Sequence, residues 1–184
     1  DTYVGGLIGE IDEGEVYNSY TTGNVIGNDN VGGLIGAFYG GNIDNSYTTS
    51  NVEGSGDKIG GLIGSTEVNI SNSYSIGDVN GTGNNVGGLI GYVYEGDVND
   101  SYSTGNVTGS GNNVGGLIGI DKGNIVANSY ATGHIEGQND QVGGLIGYNE
   151  GNIINSYSTG NVKGNKTDNF GFGGLIGWSE GEVK

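Results

Sequence analysis

The sequence has no cysteine, no proline, no methionine and no arginine. Without cysteine there is no disulfide framework and no thiolate metal site, so the residues record no redox compartment. Basic residues are scarce: five lysines stand against twenty-one acids, and the formal net charge is −16. That balance argues against nucleic acid, because phosphate binding needs a basic face. An anionic membrane surface is disfavoured for the same reason. No apolar run approaches the ~18 residues of a membrane helix, so membrane insertion is not expected. The first residues lack the pattern of a signal peptide, and the chain reads as a piece cut from something longer.

Glycine is what the chain has in excess, 43 residues of 184. Taken without order, such a composition points to disorder. The order is a repeat. The stretch V-G-G-L-I-G or a close variant begins at Val4, Val31, Ile59, Val86, Val114, Val142 and Phe172, at spacings of 27, 28, 27, 28, 28 and 30 residues. A fixed period in this range signals stacked units. Six full units run 4–30, 31–58, 59–85, 86–113, 114–141 and 142–171, with a partial seventh over 172–184, all in one domain spanning 1–184.

Each unit holds three short apolar or β-branched stretches separated by turn residues, and none has helical spacing. The expected fold is therefore all-β, a β-solenoid of the β-helix type. It has 27–30 residues per coil and three short parallel strands per coil. In the first stretch Leu7, Leu34, Leu62, Leu89, Leu117, Leu145 and Leu175 form one column, and Ile8, Ile35, Ile63, Ile90, Ile118, Ile146 and Ile176 form the next. Strict alternation would send one of these columns outward. A bend at the glycines would bring both to the core, and that is the reading adopted.

The second stretch aligns Tyr20, Tyr47, Tyr74, Tyr102, Tyr130 and Tyr157, each four residues after a Val or Ile. Four is an even step, so in one continuous strand both side chains face inward. An internal tyrosine ladder follows. Before each Tyr stands Asn-Ser in five units, with Asp100 the exception; such a column suits a turn with axial side-chain bonding. A third stretch aligns Val25, Val52, Val79, Val107, Ile135 and Val162. The loops before each V-G-G are rich in Asn, Asp and Gly, and the longest holds Lys166, Thr167, Asp168 and Asn169.

The recurring Gly-Leu-Ile-Gly, at 6–9, 33–36, 61–64, 88–91, 116–119, 144–147 and 174–177, resembles the GLUG motif, named for its G-L-any-G core. The resemblance covers essentially the whole chain. GLUG repeats occur in large bacterial surface and secreted proteins, including adhesin-like proteins and the non-catalytic region of immunoglobulin A metallopeptidases. The resemblance therefore implies an extracellular or cell-surface β-solenoid, serving as a spacer or adhesive region. It supplies no catalytic residues, and the zinc-binding H-E-x-x-H of the peptidases is absent.

An enzyme is hard to assemble from what remains. The single histidine, His134, occupies the column of Asn24, Asn51 and Asn106 and reads as a turn variant; no Ser-His-Asp or zinc-ligand set forms around it. No catalytic residue and no cofactor are expected. Calcium is the one metal considered, at Asp57, Glu95, Asp97 and Asp140, although no recognised calcium loop is present. The position after G-L-I-G ends in Tyr92, Ile120, Tyr148 and Trp178, a stripe suited to a glycan or a host or cell-surface protein, or simply to packing at a corner. Two further readings are weighed. Open strand edges at the ends would allow end-to-end self-association into a filament. The column of Thr22, Thr49, Ile76, Thr104, Thr132 and Thr159 would suit ice, except that its neighbour, Thr21, Thr48, Ser75, Ser103, Ala131 and Ser158, lies on the opposite side of the strand.

Overall fold

In the computed structural model, residues 2–164 and 171–184 are described, and they form a right-through stack of coils with no helix. The first coil contains β1 (Val4–Gly5), β2 (Ile8–Ile11), β3 (Gly14–Tyr17), β4 (Tyr20–Thr21) and β5 (Val25–Gly27). Each strand begins a parallel sheet that runs the length of the molecule: seven strands for β1 and β2, six for β3, β4 and β5. Equivalent residues are in register from coil to coil, as in Val4 with Val31 and Val142 with Phe172. The solenoid is as expected. The number of strands per coil is not: there are five, where three were expected.

Two bends account for the difference. The first apolar stretch breaks at Gly6–Leu7, between β1 and β2. The second breaks at Asn18, whose φ is +49°, between β3 and β4. Asn45, Asn72, Asp100, Asn128 and Asn155 repeat this left-handed conformation with φ between 46° and 50°. Asn and Asp are the side chains that tolerate it, which is why Asp100 can replace Asn.

The first bend organises the interior. The β1 sheet lies between the β2 sheet and the β5 sheet, so the coil is folded through its own middle. Val31, Ile59, Val86, Val114 and Val142 face the β5 valines in one apolar cluster. Across the β1–β2 double layer, Leu34, Ile35, Leu62, Ile63, Leu89, Ile90, Leu117 and Ile118 pack with Phe38 and Ile43 in a second cluster. Both Leu and Ile therefore reach the core, as the bend reading requires.

Between the two clusters the β1 and β2 backbones touch through glycine. A Cβ on Gly115 would lie 1.9 Å from the Ile118 carbonyl oxygen and 2.8 Å from Gly147 N. A Cβ on Gly91 would lie 2.6 Å from both Gly64 O and Ile59 N. Only glycine permits this approach. The bend glycine has a different neighbour: Thr21 Oγ1 donates to Gly33 O at 2.6 Å, while the buried Ser75 and Ser103 hydroxyls, which make no hydrogen bond among the described residues, lie beside Gly61 and Gly88. The β4 residues at this column are thus small because they pack on glycine.

The tyrosines do not face inward. Tyr20 is 58% and Tyr157 51% exposed, with the four between them half-buried, while the adjacent Thr21, Thr48, Ser75, Ser103 and Ala131 are buried. The even-step argument fails because Asn18 and its counterparts interrupt the strand between Val16 and Tyr20. The ladder is external. Its rings stack at centroid separations of 4.8–5.2 Å with interplanar angles of 1–7°.

Candidate functional site

The outer positions near the ends of the β2-sheet strands carry the densest group of aromatic side chains outside the tyrosine ladder. Tyr92, Ile120, Tyr148 and Trp178 occupy consecutive rungs in register, so the stripe expected from the sequence is a continuous column. Earlier rungs of the column are Glu10, Ala37 and Ser65, the last two buried. Tyr94 tilts against Tyr92 at 4.2 Å and 35°, and the Lys58 ammonium lies 5.8 Å and 5.3 Å from the two ring centres. Such a cation over aromatic faces contributes roughly 0.5–1 kcal/mol at exposed sites.

Charged groups frame the rings. Lys122 Nζ and Glu150 Oε1 are 2.8 Å apart, and the Tyr148 hydroxyl donates to Glu180 Oε1 at 3.0 Å. Burial, then the bond to Glu180, pushes the Tyr148 phenol up to about 12. Burial also raises Tyr92, against the opposing pull of Lys122. Contact with Lys122 holds Glu150 below the usual carboxylate range. These phenols stay neutral at physiological pH. The face offers ring surfaces, hydroxyl donors and carboxylate acceptors together.

The calcium candidates do not converge. Asp57 Oδ1 accepts from Asn84 N at 2.7 Å and Asn84 Nδ2 at 3.2 Å, while Asp140 N donates to Asn112 Oδ1 at 3.2 Å. Both belong to one axial ladder in which Asp29, Asp57, Asn84 and Asn112 each accept from the backbone N–H of the next coil. Asp97 N likewise donates to Asn69 Oδ1 at 2.9 Å, and Glu95 is exposed beside it. Among the described residues, no three His, Cys, Asp or Glu side chains gather as a metal site. The longest loop, Lys166 to Asn169, lies outside the described residues.

His134 takes the place expected for it. Its backbone N–H donates to Asn106 Oδ1 at 3.0 Å, and its Nδ1 accepts from Asn161 N at 3.1 Å. The imidazole here does what Asn51, Asp78 and Asn106 do on other rungs. Of the two Thr columns, that of Thr21 is mostly buried and that of Thr22 is exposed, so no paired Thr face forms.

Sequence reasoning missed two features. Ser46, Ser73, Ser101 and Ser129 are fully buried. Each accepts from the backbone N–H of the serine one coil earlier at 3.2 Å and donates to a carbonyl two residues back in its own chain. The unbroken Ser column before Tyr was the available signal. The other is Asp121, an acid only 1% exposed. It stands three residues after Ile118, the step that separates Ile35 from the core residue Phe38.

Comparison with known proteins adds one finding. The family model described as the GLUG motif matches residues 1–26, 82–108 and 138–163. Those three segments are GLUG repeats. No curated protein and no solved structure matches it. The structure gives the GLUG signature a physical meaning. The first glycine of G-G-L-I-G sits in the double layer, the second turns the bend, Leu and Ile enter the core, and the last glycine returns to the double layer. The matched segments also include residues of the tyrosine, serine and Asn ladders.

Proposed function

We propose that this GLUG-repeat solenoid is a non-catalytic structural segment of a secreted or cell-surface bacterial protein, acting as a rigid spacer that also presents an adhesive face. The observation that carries the reading is the unbroken in-register pairing of five sheets along the axis. Each coil's backbone groups are bonded to the next coil, so bending the stack breaks several hydrogen bonds at once. Length then follows coil number, at about 4.8 Å per coil.

The adhesive face is the column of Tyr92, Ile120, Tyr148 and Trp178. Aromatic rings bury large area and pair with a polar handle, which suits a glycan or a host protein surface. The charge of −16 disfavours a polyanionic partner. The test is adhesion of beads coated with the chain to glycan arrays and to host cells. The expected result is binding that the triple variant Y92A/Y148A/W178A loses while its melting temperature stays within a few degrees of the parent's. Binding retained by the triple variant, or absent from the parent, would remove the adhesive part and leave a spacer.

A further inference from the structure

One inward column changes character along the stack. It runs through Ile11, Phe38, Thr66 and Val93, then through three polar rungs in succession, Asp121, Asn149 and Ser179, all paired rung to rung. Asp121 is 1% exposed and Asn149 0%. Asp121 Oδ1 accepts from Gly123 N at 3.0 Å, but its Oδ2 is buried with no partner. That oxygen points toward the next coil, because a Cβ on Gly151 would stand 2.8 Å from it.

Asn149, the rung partner, cannot supply the missing hydrogen. Its Nδ2 already donates to Gly151 O at 2.7 Å and to Ser179 Oγ at 3.0 Å, using both hydrogens. Its Oδ1 is buried and also without a partner. Turning the amide over would set its oxygen against the Gly151 carbonyl, so the orientation is fixed. Two buried acceptors on adjacent rungs therefore lack one donor. Leaving them so is costly, because each has given up its bonds to water without a replacement. A single proton on Asp121 satisfies both.

We propose that in mildly acid solution Asp121 is protonated in the folded chain and donates from Oδ2 to Asn149 Oδ1, making the junction of the fifth and sixth coils a pH-sensitive joint. The electrostatic surroundings agree. Burial raises the Asp121 carboxyl to about 6, Asp97 and Glu150 push the same way, and only the Gly123 N–H opposes them. Asp97 comes from the preceding coil and Glu150 from the following one, where Lys122 holds it. The sign follows from the raised value. The stabilisation is complete below about 3.8, the ordinary value, and is lost as the pH rises through about 6.

The test compares the parent chain with Asp121→Asn, whose amide donates at every pH. Other carboxylates give both proteins a shared pH trend, so the difference between them is the readout. The expected result is that D121N melts about 5 °C above the parent at pH 7.5, and that this gap closes by pH 4. Should D121N not fold, a carbon-13 NMR titration of the parent's Asp121 carboxyl decides the matter, with a midpoint near 6 expected. A midpoint near 3.8, or a gap independent of pH, would overturn the proposal. So would a calcium-induced rise in the parent's melting temperature at pH 7.5 that D121N lacks, since the oxygens would then hold a cation.

Discussion

Gly115→Ala is expected to destabilise the chain by roughly 3 kcal/mol or more, at the upper end of overpacking costs. The added methyl would meet the Ile118 carbonyl oxygen at 1.9 Å and Gly147 N at 2.8 Å, and both are backbone atoms that cannot rotate away. Relief requires the β1 and β2 sheets to part. Parting them disturbs the apolar clusters on both sides at once, since the double layer separates the two. Gly14→Ala is the control, because its Cβ would meet only Ile11 Cγ2 at 3.6 Å. That variant is expected within ±0.5 kcal/mol of the parent, the range of unremarkable surface changes. Urea midpoints measure both, and equal stability of G115A and the parent would show that the glycines are not in contact.

Leu117→Ala tests the bend itself. Leu117 is fully buried in the larger cluster, although simple alternation from Val114 and Ile118 would put it outside. Truncation should cost about 2–5 kcal/mol, the transfer loss plus the cavity. Tyr102→Ala, on the external ladder, removes a half-buried ring stacked at 4.8 Å on each neighbour and should cost less. Thermal or chemical denaturation of the two variants gives the ordering. A neutral L117A would mean that the leucines face solvent.

The period was legible because register is the property that a stacked fold repeats most strictly. It yielded the solenoid, the parallel sheets, the valine columns and the core position of Leu and Ile. What failed was parity across hidden corners. Alternation holds only within one strand, and the Asn18 column interrupts it with a left-handed residue whose sequence sign, Asn before Ser-Tyr, reads equally well as a simple ladder. The tyrosines were therefore placed inside when they are outside. The small residues after them are inside against glycine.

The candidate face was legible as a column, since Tyr92, Ile120, Tyr148 and Trp178 keep constant register. Its companions were not. Lys58 and Tyr94 join it from a turn and from the next outward position, and only the three-dimensional path brings them over Tyr92. The acids misled in a different way. Asp57 bonds backbone along the axis, and Asp121 is buried, so residues that look alike in sequence do unlike work.

Register between coils is the claim on which the rest stands, and cross-linking tests it most directly. The chain has no cysteine, so an introduced pair is unambiguous. Thr108 and Glu136 are exposed, face outward and are paired across adjacent coils. Neighbouring parallel strands lie about 4.8 Å apart, within the ~4.4–6.8 Å between Cα atoms that a disulfide spans. T108C/E136C should close under mild oxidation into one intramolecular bond. T108C/H134C, two residues out of register, should stay reduced. Closure of the second pair in place of the first would contradict the stacked register.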